Sequence, residues 1–185
     1  MVSDVENWTF DPDLSQLQGR TDRFSWDEYY MALAILSSQR SPDPVTQVGA
    51  CIAGPDNKVV SMGYNGMPRG CSDFKKTLPW EKKEGLNNKN LYVCHAELNA
   101  ILNSSDLTRL QGSRMYVTLF PCNECAKAII QTGIKEVIYL RDTKQDHLSN
   151  AAAKILFAAG DIKYRCFGAR VNTNKLLKGL GLLEI

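Results

Sequence analysis

From residue 95 to residue 167 the chain alternates helical and strand patterns, and this alternation limits its fold more than any other feature. His95–Asn103 reads as a helix and Arg114–Leu119 (RMYVTL) as a strand. Cys122–Gln131 reads as a helix, with Gly133 suited to its end. Glu136–Leu140 is a strand, Ser149–Ala159 a helix closed by Gly160, and Ile162–Phe167 a last strand. Strands joined through single helices return parallel to one another by right-handed crossovers. Upstream, Ser25-Trp-Asp-Glu28 is a capping box. Trp26, Tyr29, Tyr30, Leu33 and Leu36 follow it at helical spacing, so a first helix runs to about Gln39. Val48–Ala53 and Lys58–Tyr64 flank the turn Gly54-Pro55-Asp56-Asn57 as an antiparallel hairpin. The sum is an α/β, three-layer α-β-α architecture around a five-stranded mixed sheet.

The rest of the chain adds little to that plan. Residues 1–22 are polar and aperiodic and are expected to form a loosely ordered N-terminal arm; residues 23–170 form one domain; 171–185 form a C-terminal tail with a short helix at 171–180. The segment 65–90 has little periodicity, and a loop of about 25 residues in a compact domain is functional or disordered. Lys plus Arg is 22 against 20 for Asp plus Glu, a net charge of +2. That balance gives no bulk case for nucleic acid or an anionic membrane as partner. No apolar run approaches the roughly 18 residues of a membrane span. The acidic start, MVSDVENWTF, has no apolar core of the signal-peptide kind, so a cytoplasmic, reducing compartment is expected.

Six cysteines and two histidines therefore read as buried thiols, metal ligands or both. Cys122 and Cys125 lie three residues apart, so one helical turn presents both thiols on one side. Pro121 precedes them, and a helix start favours thiolate, the form that binds metal. There is one CxxC, and a closed structural zinc site needs four ligands. His95, also at a helix start, is the best third ligand. Three protein ligands leave a tetrahedral position open, as in catalytic zinc sites. Zn²⁺ with two thiolates and a neutral imidazole is formally neutral and acidifies a bound water less than three histidines would. Glu97, two residues beyond His95, is then available as general base and acid. Cys51 and Cys166 sit in strands as buried thiols, Cys94 packs away from the metal, and His147 lies in a polar surface stretch. A second zinc using Cys71 is a lesser alternative.

The HxE and PCxxC pattern, with QRSPDPVTQVGACI (39–52), GYNGMPRGCSD (63–73), YVCHAELNAI (92–101) and MYVTLFPCNECAKAIIQTGIKEVIY (115–139), closely resembles the deoxycytidylate deaminases of the cytidine deaminase superfamily. The resemblance covers about residues 24–167 and implies the cytidine-deaminase-like fold. It implies hydrolysis of dCMP to dUMP and ammonia, which supplies dUMP for dTMP synthesis. By motif, His95, Cys122 and Cys125 hold Zn²⁺, and Glu97 moves protons between water, N3 and the leaving amine. The Ala96 N–H is placed to meet a pyrimidine carbonyl, and carbonyls near Leu119 and Phe120 to meet the exocyclic amine. Arg40 and Asn65 are the expected phosphate and sugar contacts. As structural residues, Arg40 would be a charge at a helix end and Asn65 a turn residue of positive φ. The resemblance also implies a homo-oligomer, often a hexamer, activated by dCTP with Mg²⁺ and inhibited by dTTP. Gly63, Tyr64, Asn65, Gly66, Gly70 and Asp73 are the expected effector region. Members often carry a tyrosine a few residues past the fourth strand; here Asp142-Thr143-Lys144 follows, and Phe120 is left to supply apolar packing.

Three other readings stay open at this stage. One is a deaminase of another cytosine nucleotide or nucleoside, such as dCTP or cytidine, or of tRNA adenosine. A second is a non-catalytic zinc interaction module, which would have no use for Glu97. A third is a thiol–disulfide oxidoreductase using Cys122 and Cys125.

Overall fold

The computed structural model describes residues 19–71, 78–143, 145 and 147–169. Nine regular elements follow the expected order: α1 (Trp26–Ser38), β1 (Gly49–Ala53), β2 (Val59–Tyr64), α2 (Ala96–Leu102), β3 (Arg114–Leu119), α3 (Asn123–Gln131), β4 (Glu136–Arg141), α4 (Leu148–Ala159) and β5 (Lys163–Cys166). The strands form one sheet in the order β2-β1-β3-β4-β5. β1 runs antiparallel to both β2 and β3, while β3, β4 and β5 are parallel. This is the mixed five-stranded sheet that the hairpin and the later crossovers demand. Among the described residues no helix is long and apolar enough to cross a membrane. The expected tail helix and most of the N-terminal arm lie outside the described residues.

Both sheet faces are covered. α1 lies on one, where Tyr30, Met31, Ala34 and Ile35 pack against Cys51, Tyr116, Ile138 and Phe167. α2, α3 and α4 cover the other with Ala96, Ala100, Ala126, Ile129, Ala153 and Phe157 over Ile52, Met115, Val117 and Val137. Two glycines let the helices approach this closely. A Cβ at Gly49 would stand 2.0 Å from the Ala34 carbonyl oxygen, and one at Gly63 would stand 2.3 Å from the Ala100 nitrogen. Ala50 faces Gly63 across the hairpin, so α1 and α2 grip the sheet at neighbouring points on opposite faces.

The α1 capping box forms in full: Ser25 N donates to Glu28 Oε2 at 2.7 Å and Glu28 N to Ser25 Oγ at 3.3 Å. The buried stripe differs from the expected one. Trp26, Tyr29 and Leu36 stay 53%, 42% and 59% exposed. Spacing alone does not separate two adjacent apolar stripes on one helix, and the one bearing the small Ala34 is the one that fits under Gly49.

Candidate metal centre and nucleotide cavity

Three helix starts converge on one cavity of about 200 Å³. His95 is the N-cap of α2, Cys122 of α3 and His147 of α4. Each is in extended backbone conformation, which turns the side chain off the helix cylinder. Neither His95 nor Cys122 uses its side chain to cap its helix. Instead His95 Nδ1 lies 3.4 Å from Cys122 Sγ and 3.4 Å from Cys125 Sγ. All three ligand atoms fall within 4.8 Å of one another, the one group of this kind found among the described residues. A tetrahedral zinc with bonds of about 2.3 Å to sulfur and 2.0–2.1 Å to nitrogen sets the sulfur–nitrogen edge near about 3.5 Å. The donor set and its spacing therefore fit zinc. Cys94, half-buried, is outside the cluster.

As a bare pair, the two thiols share a proton. Cys122 is held far down, to about 3, first by the hydrogen bond from Cys125 and then, against its burial, by His95. Cys125 is pushed well above the usual thiol range as the donor of that bond and by burial. The pair therefore favours thiolate at Cys122, the form that binds metal.

Glu97, in the first turn of α2, is 4% exposed. Burial raises its pKa above the usual carboxylate range, opposed mainly by His95. A carboxylate beside a metal cluster, in a dry place that disfavours its charged form, is suited to carry a proton in both directions.

The other predicted contacts divide. Ala96, Leu119, Phe120 and Asn65 line the cavity. Phe120 is fixed edge-on against Tyr139, with ring centroids 4.9 Å apart at 88°, and Thr143 lines the wall where an aromatic was missing from the sequence. Arg40 is exposed just past the end of α1 and does not line the cavity. Asn65 is not in the positive-φ region. Its amide donates to Asp43 Oδ2 at 3.2 Å and to the Thr46 carbonyl at 2.9 Å, and its oxygen accepts from Val48 N at 2.8 Å and Ser41 Oγ at 2.7 Å. That uses every hydrogen-bonding position of the side chain, so Asn65 ties loops together.

The expected effector residues are scattered in role. Gly63 is the close contact to α2. Gly66 forms a two-bond bridge to Cys94, beside His95. Tyr64 is half-buried, and its carbonyl accepts from Asn99 Nδ2 at 2.7 Å. Gly70 has φ of 90° with open space around it, and Asp73 lies outside the described residues. Of the remaining cysteines, Cys51 is buried and its thiol is pushed up to about 12. Cys166 is half-buried where burial was expected, because β5 is the sheet's edge strand, and Cys71 is exposed.

Sequence reasoning missed two features. Lys89, in a polar stretch read as loop, is 3% exposed and pairs with Asp43, which is 2% exposed. The Asp-Pro step at 43–44 was the available signal: Asp43 Oδ1 accepts from Val45 N and Thr46 N, an Asx turn. His147 is exposed as expected, but its Nδ1 accepts from Ser149 N at 3.2 Å, and it lines the cavity. The DHLS order, a polar residue just before an apolar helix, carried that signal.

Residues 24–141 match the family model of the cytidine and deoxycytidylate deaminase zinc-binding region, and the chain belongs to that family. Within it, the chain is 54% identical to the deoxycytidylate deaminase of Homo sapiens over 150 residues, 80% of this chain and 83% of that one. It is 53% identical to the deoxycytidylate deaminase of Mus musculus over the same shares. Among solved structures it is similar to the apo form of dCMP deaminase from cyanophage S-TIM5, with TM-score 0.58 and 25% identity, covering 85% of this chain and all of that one.

Proposed function

We propose that this protein is a zinc-dependent dCMP deaminase that hydrolyses dCMP to dUMP and ammonia. The observation that carries the reading is the His95–Cys122–Cys125 cluster with the buried Glu97 beside it, at the deep end of a cavity. Thiol redox chemistry alone leaves His95 and Glu97 without a use, and a passive zinc module leaves Glu97 without one. The choice of dCMP rests on the relatives named above, more than half identical over most of both chains.

When bound, zinc supplies Lewis acidity that makes water nucleophilic near neutral pH. Glu97 accepts the proton of the attacking water and then delivers protons to pyrimidine N3 and to the leaving amine. Its burial raises its pKa, which favours uptake of the water's proton. The Ala96 N–H at the start of α2 and the carbonyls near Leu119 and Phe120 orient the ring, with Phe120 as an apolar wall. Regulation by dCTP and dTTP, assembly into a homo-oligomer and supply of dUMP for dTMP synthesis belong to the same reading; they rest on the resemblance, most of all that of the Gly63–Asp73 segment.

The test is ultraviolet deamination of dCMP, deoxycytidine, CMP and dCTP by the zinc-loaded protein, with and without dCTP or dTTP as effector. The expected result is a strong preference for dCMP. Preference for deoxycytidine overturns the nucleotide assignment, and full activity in Glu97→Ala with zinc retained overturns the mechanism.

A further inference from the structure

α3 and α4 lie side by side and run the same way, with both starts at the cavity. At their far ends they are in close apolar contact: a Cβ on Gly160, just past α4, would stand 3.1 Å from Ile130 Cγ2 in the last turn of α3. At their starts the contact is polar. Asn123 N, the first N–H of α3, donates to Ser149 Oγ at 3.3 Å, and Ser149 Oγ donates to Asn123 Oδ1 at 2.7 Å. One hydroxyl both accepts and donates, and it closes a ring with a single residue of the other helix.

Both partners are themselves held. Asn123 Nδ2 donates to Glu124 Oε1 at 2.9 Å, which keeps the amide turned with its oxygen toward Ser149. Ser149 N donates to His147 Nδ1 at 3.2 Å, so the residue that reaches across is fixed in its own helix start. The N–H groups of a first helical turn have no partner within their own helix. Cys122 gives α3 no side-chain cap, and the Asn123 N–H, directly after it, takes its acceptor from α4.

The place of this contact bears on the metal cluster. Cys122 stands immediately before α3 and Cys125 in its first turn, while His95 stands at the start of α2. A tilt of the first turn of α3 therefore moves both sulfurs relative to the imidazole at once. The two sulfurs lie 3.4 Å from His95 Nδ1, near the edge of a zinc tetrahedron, so the first turn of α3 is already in the required pose. Ligands held in their final geometry give up less freedom when a metal binds, and groups that hold them act on affinity.

We propose that Ser149 is a positioning residue for the metal: from α4 it fixes the first turn of α3 so that Cys122 and Cys125 meet His95 in zinc-binding geometry. α4 supplies no ligand to the cluster and acts as its brace. The proposal rests on the reading of His95, Cys122 and Cys125 as zinc ligands, and not on the choice of dCMP as substrate. A plain pin between two helices predicts something else: equal losses of stability with and without zinc, and an unchanged zinc affinity.

The experiment measures zinc affinity by competition with a chromophoric chelator, and thermal unfolding of the zinc-free and zinc-loaded forms. It compares the unaltered protein with Ser149→Ala, Ser149→Thr and His147→Ala. Ser149→Ala is expected to weaken zinc binding about tenfold, the low end of the range for outer partners of metal ligands, because Ser149 acts through the backbone beside Cys122 rather than on its sulfur. The rise in melting temperature on adding zinc shrinks accordingly. Ser149→Thr keeps a hydroxyl in place and recovers the affinity. His147→Ala removes the cap of α4 but neither Ser149–Asn123 bond, so it lowers both melting temperatures alike and keeps the affinity. Unchanged affinity in Ser149→Ala overturns the proposal and leaves the zinc reading standing. So does an equal loss in His147→Ala, or a Ser149→Thr that binds no better than Ser149→Ala. Failure of the unaltered protein to take up zinc overturns both.

Discussion

The chain has two histidines, and both are helix N-caps on the same cavity. At α4, His147 Nδ1 accepts the Ser149 N–H and closes the helix in the usual way. At α2, His95 turns the same ring atom toward two thiols and gives its helix no side-chain cap. Cys122 at α3 behaves like His95. The difference teaches where the fold spends stability on chemistry. An N-cap worth about 1 kcal/mol is given up at both metal-ligand helix starts and kept at the third. The extended backbone of an N-cap serves the ligands well, because it aims a short side chain outward while the helix behind it stays rigid.

The sharpest way to break this comparison is to make a metal-binding helix start into a capping one. Cys122→Ser supplies a good N-cap and removes a thiolate. The expected outcome is loss of zinc from the purified protein and loss of deamination to background. The metal-free variant should unfold at a temperature a few degrees above the metal-free parent, for a cap of about 1 kcal/mol. Metal analysis, activity and thermal unfolding check the three parts. A lower melting temperature than the metal-free parent would show that Cys122 already stabilises α3 in some other way.

Glu97→Gln separates the metal from the proton chemistry. General acid–base catalysis contributes about 10²–10⁴-fold, and the proposed mechanism gives Glu97 more than one transfer, so activity should fall by roughly 10³-fold or more. Zinc content should be unchanged, since His95, Cys122 and Cys125 remain. A loss below tenfold at full zinc occupancy would assign the proton transfers to another group.

The metal end of the cavity was legible because its residues lie close together in sequence. His95 and Glu97 are two apart, Cys122 and Cys125 three apart, and each pair sits on one turn at a helix start whose apolar pattern is plain. The order of strands was legible for the same reason, since each strand–helix step is local. The opposite wall was not. Asp43, Asn65 and Lys89 come from three loops, and nothing in a polar stretch such as NNKN says that one lysine turns inward. Its partner is 46 residues away, and the pair exists only once β1, β2 and the start of α2 are packed. Arg40 lies outside the cavity lining, and its place in the QRS segment did not tell which way the chain turns after α1.

Asp43 and Glu97 are two buried carboxylates on one cavity, one paired and one next to the metal ligands. Removing the carboxylate of Asp43 strands the Lys89 ammonium in a dry wall. Asp43→Leu should cost about 3–5 kcal/mol in denaturant unfolding, the range for breaking one side of a buried pair. Pairing it with Lys89→Met should recover most of that loss, since two apolar side chains then replace a buried ion pair. No recovery in the double variant would show that Asp43 stabilises the wall mainly through the 43–46 turn and Asn65.

The smallest effect is expected at the helix start that caps. His147→Ala removes an exposed side-chain acceptor from the first turn of α4 and should cost about 1 kcal/mol, a fall of about 2–4 °C in melting temperature. His147→Ser should restore the loss, because a hydroxyl serves the same N–H. Zinc content should not change in either variant. The contrast with His95→Ala is the point: that substitution gives up no side-chain cap, so the metal-free proteins should differ little in stability while the zinc-loaded parent gains what the variant cannot. If His147→Ala instead lowers zinc occupancy, the two histidines share one task, and the division between binding and capping helix starts falls.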